Sequence, residues 1–144
     1  MDNKEAGRRP LEVITPLNVQ TYDIDFAGIV SNLTYVRWLE DLRLYFLKMH
    51  FPLDVMMNEG NVPIVQTTHI EFKRPIHLFD KVTGHLWMSE LASPKWTGNM
   101  EIVANDKVAT TAVQQGVFIS LATIKPSIVP ETLQKKYDED ISNK

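Results

Sequence analysis

The residues best suited to chemistry lie between Tyr22 and Tyr35, where two aspartates and a glycine directly precede a long apolar segment. Asp25 and the start of the predicted helix could supply a carboxylate and free backbone N–H groups within one short segment. A carboxylate can activate water or attack a carbonyl, and a helix start can stabilise negative charge on oxygen. The pattern therefore makes Asp25 and the helix start a candidate catalytic centre. Asp23, two residues away, is expected from alternation to point elsewhere and to be structural.

Asp25 also has a second interpretation that involves no chemistry. An Asp just before a helix commonly caps that helix or holds a turn through its side-chain oxygens. In the catalytic interpretation, by contrast, Gly28 would let the backbone of the turn approach a ligand closely. On the local pattern alone, the catalytic role and the turn-forming role of Asp25 both stay open.

Other reactive centres find less support in the spacing of residues. The chain has no cysteine, which excludes a cysteine nucleophile, a disulfide and a thiolate metal site. No Gly-x-Ser-x-Gly segment surrounds Ser31, so a serine nucleophile is not expected. The histidines lack metal-ligand spacing and are expected to be half-exposed strand residues: His50, His69, His77 and His85. We therefore expect neither a metal site nor an organic cofactor.

The composition fits a single domain over residues 1–144. A chain of 144 residues that is 44% hydrophobic can bury one core and does not suggest disorder. Its net charge of −3 gives no general attraction to nucleic acid or to an anionic membrane. The first ten residues contain no apolar run typical of an export signal and no segment approaches the length of a membrane span, so we expect a cytoplasmic protein. Residues 1–10 and 135–144 are expected to be flexible termini.

One long helix is predicted over residues 33–49. Its apolar positions recur at helical spacing and leave only a narrow polar stripe, which predicts a helix wrapped by sheet on most sides: Leu33, Val36, Leu39, Leu42, Phe46 and Met49. Ser31 or Asn32 is the expected N-cap, and Pro52 marks the other end.

The remaining segments read as strands. An early strand spans residues 11–20 with Pro16 inside it, and four later strands follow the helix, the last over about 108–121. Turns are predicted at Ser93-Pro94 and at Asn105-Asp106-Lys107, and a bulge at Gln114-Gln115-Gly116. This order predicts an α+β fold in which an antiparallel sheet of about five strands curls around one helix. Because such a sheet leaves open edges, we expect a homo-oligomer that continues the sheet across two chains, as a dimer or a dimer of dimers.

Three segments carry a family resemblance. The first is Asp-x-Asp-x-x-Gly-Ile-Val from Asp23, followed by Asn32, Tyr35, Trp38 and Glu40; the second runs from Ile70 to Val82, and the third is Ile128-Val129-Pro130-Glu131-Thr132-Leu133. Together they resemble the hotdog-fold thioesterases, in particular the 4-hydroxybenzoyl-CoA thioesterase branch. The sequence departs from the family pattern in two places: Ser31-Asn32 stands where many bacterial relatives have Tyr-His, and Ile29 stands where acyl-carrier-protein thioesterases usually have His.

The resemblance implies a role for each matched position. It makes Asp25 the catalytic carboxylate, either base or nucleophile, and makes the backbone N–H of Asn32 the group that polarises the thioester carbonyl. It also implies substrate contacts at Gly28, Ile29, Val30, Ser31 and Tyr35, although an aromatic residue with the spacing of Tyr35 is more often part of the core. Lys73 and Arg74 could meet the phosphates of coenzyme A, and a solvated strand end explains them about as well. Glu40 and Arg43 match a pair in relatives whose default interpretation is a structural ion pair.

The implied activity is hydrolysis of an acyl-CoA thioester to a free acid and coenzyme A, with no metal or organic cofactor. Two alternatives stay open. One is an acyl-acyl-carrier-protein thioesterase, which Asn32 and the Tyr35-Trp38-Glu40 pattern favour and Ile29 disfavours. The other is an acyl-binding hotdog module without activity, because a fold alone does not guarantee catalysis.

Overall fold

The computed structural model describes residues 9–143, so that residues 1–8 of the expected flexible N-terminus lie outside the described part of the chain. A short 3-10 helix at Thr21–Asp23 precedes the first long helix. The elements are, in chain order, β1 (Val13–Leu17), α1 (Asn32–His50), α2 (Leu53–Glu59), β2 (Asn61–Phe72), β3 (Val82–Ala92), β4 (Lys95–Ala104), β5 (Lys107–Ser120) and α3 (Glu131–Ser142).

The five strands form one antiparallel sheet in the order β1-β3-β4-β5-β2. The predicted turns at Ser93-Pro94 and Asn105-Asp106 join neighbouring strands, which confirms both turns and the hairpin predicted at Ser93-Pro94. Lys107, expected in the second turn, begins β5. The early strand is shorter than expected and lies at one edge of the sheet. Strand β2, which is 12 residues long, lies at the other edge. Each edge leaves a row of backbone groups without a neighbouring strand in the isolated chain.

The bulge expected at Gln114-Gln115-Gly116 was assigned to the wrong strand. The extra residue is Gln66 of β2, since Val65 pairs with Gly116 and Thr67 pairs with Gln115. A Cβ built on Gly116 would lie 1.8 Å from the Ile64 carbonyl oxygen. The glycine therefore marks the close approach of the bulged neighbouring strand, which the sequence of β5 alone does not reveal.

Helix α1 begins and ends within one residue of its predicted limits. Ser31 is the N-cap, and its Oγ accepts a hydrogen bond from the Leu33 N–H at 3.2 Å. At the other end the Phe51 N–H donates to the Leu47 carbonyl at 2.8 Å, just before Pro52. The side chains that pack against the sheet are Tyr35, Trp38, Leu39, Leu42 and Phe46.

The sheet covers only one side of α1, contrary to the expectation of a helix wrapped on most sides. Leu33, Val36 and Met49 are 81%, 55% and 53% exposed. Their helical spacing predicted burial, and for these three side chains the prediction is wrong in the single chain because the sheet lies against the other side of the helix. On the covered side, a Cβ on Gly84 would lie 2.7 Å from Leu42 Cδ2, so this glycine lets the helix approach β3 closely.

The C-terminal helix α3 packs on the domain through Leu133 and Tyr137, which are both buried. Residues 135–142, expected in a flexible terminus, lie in this helix. Within the described residues, no helix combines the length and the apolar character that crossing a membrane requires.

Candidate active site

The acidic segment folds into a tight hairpin loop in front of helix α1. Ile24 and Val30 form an antiparallel bridge, and the Asp25 N–H donates to the Ile29 carbonyl at 2.9 Å. The Gly28 N–H donates back to the Asp25 carbonyl at 3.0 Å, closing a turn with Asp at its first and Gly at its fourth position. Gly28 has a φ of 79°, which a residue with a side chain adopts only with strain. The turn that sequence indicated is thus held by backbone bonds at both ends.

The carboxylate of Asp25 is half-buried and uses one of its two oxygens within this turn. Oδ1 accepts a hydrogen bond from the Ala27 N–H at 2.8 Å. Among residues 9–143, no group bonds to Oδ2. The turn-forming interpretation is therefore correct for Oδ1, and it fixes the side chain while leaving the second oxygen open to water or a ligand. The two interpretations of Asp25 are compatible.

The neighbouring Asp23 has a structural role, as predicted. Its side chain is 1% exposed and pairs with Arg37 of helix α1 through Oδ1. The same oxygen accepts from Thr34 Oγ1 at 3.3 Å, and Oδ2 accepts from the Gln20 N–H at 2.8 Å. The hydrogen bond to Asp23 raises the pKa of the Arg37 guanidinium above its ordinary value. Both oxygens of Asp23 are thus occupied, which separates its role from that of Asp25.

The first turn of α1 presents one backbone donor that nothing in the described chain uses. The Ser31 N–H donates to the Asp23 carbonyl at 2.8 Å, and the Thr34 N–H donates to the Ser31 carbonyl at 2.9 Å. The Leu33 N–H is taken by Ser31 Oγ. Within residues 9–143 the Asn32 N–H has no acceptor. This donor lies at the positive end of the helix dipole, two residues after the bridge at Val30.

The segment after β2 reaches the acidic loop through Ile76. The carbonyl of Ile76 accepts from the Val30 N–H at 2.8 Å, and both side chains are buried. Lys73 and Arg74 lie three and two residues before Ile76, with their backbone N–H groups bonded to the Ala109 carbonyl at 2.8 and 3.0 Å. Their backbone is therefore fixed while both side chains are exposed. The structure brings these cations to the segment that contacts the loop.

The two cations differ in their partners. Lys73 Nζ donates to Glu71 Oε1 at 3.4 Å. Glu71 also bonds to His69, and these hydrogen bonds lower the pKa of its carboxyl, with the larger effect from His69. The Arg74 guanidinium forms no ion pair with the described residues. Arg74 is therefore the freer of the two to meet an anion.

Tyr35 packs in the core next to this region. It is 3% exposed and makes edge-to-face contacts with Trp38 and Phe72, with ring centroids 5.4 and 5.0 Å apart. Burial raises the pKa of its hydroxyl above the ordinary value. In the isolated chain Tyr35 joins helix α1 to the edge strand β2. Of the other expected substrate contacts in and next to the acidic loop, Val30 is buried, whereas Gly28, Ile29 and Ser31 reach the surface.

The histidines do not form a centre of their own. Contrary to the expectation of strand positions, His50 ends helix α1 and His77 lies in a loop, while His69 and His85 are in strands. The residues described contain no group of three or more histidine, aspartate and glutamate side chains able to hold one metal ion. His50 is half-buried against Phe46, and its Nε2 lies 3.0 Å from the Leu11 carbonyl.

The structure also contains a cavity that sequence reasoning missed. It has a volume of about 270 Å³ and lies between the second half of α1, α2 and the inner face of the sheet. Its lining includes Leu47, Met57, Leu86, Met88, Trp96 and Phe118. Because these residues come from helices and strands far apart in the chain, no local pattern signals the cavity. The matched pair Glu40 and Arg43 lies at its polar side, where Arg43 Nη1 donates to Gln114 Oε1 at 2.8 Å and Glu40 acts on Arg43 only through its charge.

Comparison with known proteins identifies relatives of the whole domain. The family model of the thioesterase-like superfamily matches residues 19–137, which is most of the chain. A protein from Aquifex aeolicus (strain VF5) named "Putative esterase" is 28% identical over 110 residues, covering 72% of this chain and 86% of the relative.

Two solved thioesterases share the fold. A DHNA-CoA thioesterase from Staphylococcus aureus superposes with a TM-score of 0.81 at 22% identity and covers 89% of each chain. A thioesterase from Thermus thermophilus, whose crystal structure contains coenzyme A and Zn, has a TM-score of 0.75 at 22% identity, covering 87% of this chain and 96% of that one. These likenesses confirm the α+β hotdog fold, with its antiparallel sheet and long central helix.

Proposed function

Since the chain belongs to the thioesterase-like superfamily, we propose that this thioester hydrolase acts on acyl-CoA, releasing a free acid and coenzyme A at the loop that contains Asp25. The observation that supports this most directly is the pair of unused polar groups. Asp25 Oδ2 and the Asn32 N–H both lack partners in the described chain, and one bridged hairpin connects them. A carboxylate oxygen and an oxyanion donor are the two groups that thioester hydrolysis requires.

The proposed reaction begins with the substrate carbonyl oxygen accepting a hydrogen bond from the Asn32 N–H. Asp25 Oδ2 then takes a proton from water, whose oxygen attacks the carbonyl carbon, and the tetrahedral intermediate expels the coenzyme A thiolate. In the nucleophilic variant, Oδ2 attacks the carbonyl carbon itself and forms a mixed anhydride, which water hydrolyses after the thiolate leaves. Both routes need the same free oxygen. The bond from Ala27 to Oδ1 holds the carboxylate in place for either.

We further propose that Lys73 and Arg74 attract the phosphates of coenzyme A. Their backbone is held by the Ala109 carbonyl, and the segment that follows them contacts the acidic loop through Ile76. The coenzyme A ester that the S. aureus enzyme is named for, and the coenzyme A in the T. thermophilus crystal structure, favour this ligand over other anions.

We propose that the working form is a dimer or a dimer of dimers, with two copies joined along β2. Strand β2 is a 12-residue edge, and helix α1 exposes Leu33 and Val36 on the side that the sheet leaves open. Burying these side chains and pairing the edge would remove both features from water. The acidic loop lies directly before this exposed helix start, so a second copy would also shield the reacting carbonyl from solvent.

The decisive experiment is a hydrolysis screen with purified protein, in which thiol release is measured for a series of acyl-CoA esters and for the matching acyl-carrier-protein esters. Turnover of acyl-CoA that is lost in Asp25→Asn supports the proposal. Turnover of carrier-protein esters alone would select the acyl-carrier-protein alternative. Binding of acyl-CoA without any thiol release would select the acyl-binding module.

A further inference from the structure

The cavity between α1 and the sheet has the composition of a hydrocarbon site. Besides the apolar side chains of both helices and the sheet, its lining has few polar groups, Glu40, Arg43 and the indole N–H of Trp96 among them. Glu40 is exposed, so that it lies at the solvent side of the cavity. Leu86, Trp96 and Phe118 are at most 3% exposed and form the floor. Trp96 Nε1 is buried and has no partner among the described residues, so the lining can offer this donor to a ligand. A ligand with more polar groups than these few donors can meet would lose bonds to water there without replacing them.

The Arg43 guanidinium at the cavity wall already has one partner within the protein. Arg43 Nη1 donates to Gln114 Oε1, and Gln114 Nε2 donates to Thr68 Oγ1 at 3.1 Å. Gln114, in the middle of this chain of hydrogen bonds, is 3% exposed, whereas Thr68 at its end is exposed. Burial lowers the pKa of Arg43 below its ordinary value, although Glu40 opposes that effect. The guanidinium is thus used to hold Gln114 between helix and sheet.

The cavity continues the helix face on which the candidate active site begins. Asn32, Val36, Arg43 and Leu47 are separated by four, seven and four residues, and such spacing places them along one side of a helix. Val36, between the two sites, is 55% exposed and apolar. With about 1.5 Å of rise per residue, the Asn32 N–H and Arg43 are roughly 16 Å apart along the axis. An acyl chain whose carbonyl is bound at Asn32 can therefore follow Val36 into the cavity.

We propose that this cavity is the acyl-chain pocket and that it selects a straight aliphatic acyl group of medium or long chain over short and aromatic ones. The inference rests on the proposed function, because it assumes a thioester carbonyl at Asn32. Three observations carry it: the apolar lining, the internal pairing of Arg43, and the shared helix face. The thioester end lies in the polar loop and the hydrocarbon end lies between α1, α2 and the sheet.

The first test is a chain-length series from butanoyl-CoA to hexadecanoyl-CoA, with benzoyl-CoA as the aromatic comparison. If methylene groups enter the cavity, kcat/KM should rise about fourfold per added methylene until the cavity is filled. Benzoyl-CoA should react no faster than butanoyl-CoA. A flat series, or a preference for benzoyl-CoA, would overturn the inference while hydrolysis itself would still support the proposed function.

The second test fills the cavity from two separate elements. Met57 of α2 and Leu121 are 52% and 41% exposed and line the cavity, so Met57→Trp and Leu121→Trp should add bulk without disturbing the core. Val55→Trp is the matched control, because Val55 is 41% exposed on the same helix as Met57 and does not line the cavity. Both cavity variants should lower kcat/KM for hexadecanoyl-CoA, whose chain is long enough to pass Arg43, at least ~10-fold and leave butanoyl-CoA unchanged. Equal effects on both esters, or the same effect from Val55→Trp, would contradict the inference.

A binding measurement separates this inference from catalysis. Trp96 lines the cavity, so decanoate should change the tryptophan fluorescence of the wild type, and this change should be lost in Trp96→Phe. If decanoate changes the Trp96 fluorescence but no thioester is hydrolysed, the proposed function is wrong. The inference that the cavity binds hydrocarbon chains would then still hold. If esters are hydrolysed and decanoate leaves Trp96 unaffected, the chain binds elsewhere and the cavity inference fails alone.

Discussion

The backbone carbonyl of Asp23 accepts a hydrogen bond from the Ser31 N–H at 2.8 Å, which ties the acidic loop to the first turn of helix α1. Ser31 in turn caps the helix through its side chain. Asp25 lies two residues after Asp23, and Asn32 lies one residue after Ser31. The bond therefore fixes the Asp25 carboxylate and the free N–H of Asn32 relative to each other.

Asp25→Asn should lower kcat by at least ~10²-fold, because an amide neither takes a proton from water nor attacks a thioester. Its side-chain oxygen can still accept from the Ala27 N–H, so the turn and the fold should persist. Thiol release measures the rate, and circular dichroism checks the fold. Wild-type activity in a folded Asp25→Asn protein would remove Asp25 from the mechanism.

Asp23→Asn should show the reverse pattern, with lower stability and a much smaller loss of activity. The buried carboxylate of Asp23 accepts from Arg37, Thr34 and the Gln20 N–H, and an amide cannot replace all three bonds. The free energy of unfolding should fall by roughly 1–3 kcal/mol in urea titrations. If Asp23→Asn abolishes activity while Asp25→Asn does not, the carboxylates have been assigned in the wrong order.

Replacing Lys73 and Arg74 together by Ala should raise KM for acyl-CoA more than it lowers kcat. The coenzyme A phosphates are remote from the bond that breaks, so contacts to them change little in the transition state. Added salt should raise KM in the wild type and have less effect in the double variant. Lys107 and Lys125 replaced together by Ala provide a control with the same change in net charge. An unchanged KM in the variant that lacks Lys73 and Arg74 would mean that these side chains form only a solvated strand end.

The wild type should be at least a dimer at micromolar concentration by light scattering, and Leu33→Glu should dissociate it. Leu33 is 81% exposed, so that the substitution costs little in the single chain and acts mainly on an interface. Ile14→Glu is the matched control, since Ile14 is 53% exposed on the opposite edge strand β1. A monomeric wild type, or dissociation by Ile14→Glu alone, would contradict an interface along β2.

The stability of the domain should fall as the pH drops below about 6.5, the ordinary pKa of histidine. Burial lowers the pKa of His50 in the folded state, so in the window below 6.5 the unfolded chain binds more protons than the folded one. Its Nε2 faces the Leu11 carbonyl, and Nδ1 is buried without a partner in the described chain. In His50→Gln this part of the pH dependence should vanish from urea titrations. If the stability of His50→Gln depends on pH as that of the wild type does, other groups cause this pH dependence.

Much of the local structure could be predicted from the sequence by itself. Apolar spacing predicted α1 to within a residue at each end, and Ser31 was one of two expected caps. Ser93-Pro94 predicted a hairpin and Asn105-Asp106 a turn, and both are present. These features depend on interactions between residues a few positions apart, which a short pattern contains. The matched segments also implied the family and the fold that the comparisons confirm.

The tertiary structure decided the features that depend on residues far apart in the chain. Gly116 reflects a bulge at Gln66 of the neighbouring strand, Leu33 and Val36 are apolar yet exposed, and the cavity at Trp96 is assembled from separate helices and strands. Asp25 illustrates what the local sequence and the tertiary structure each determine. Its sequence context indicated a turn or a catalytic carboxylate, and only the folded loop separates Oδ1, which holds the turn, from Oδ2, which is open. Local patterns report which side chains avoid water, whereas contacts across the sheet determine what those side chains meet and which polar atoms stay unused.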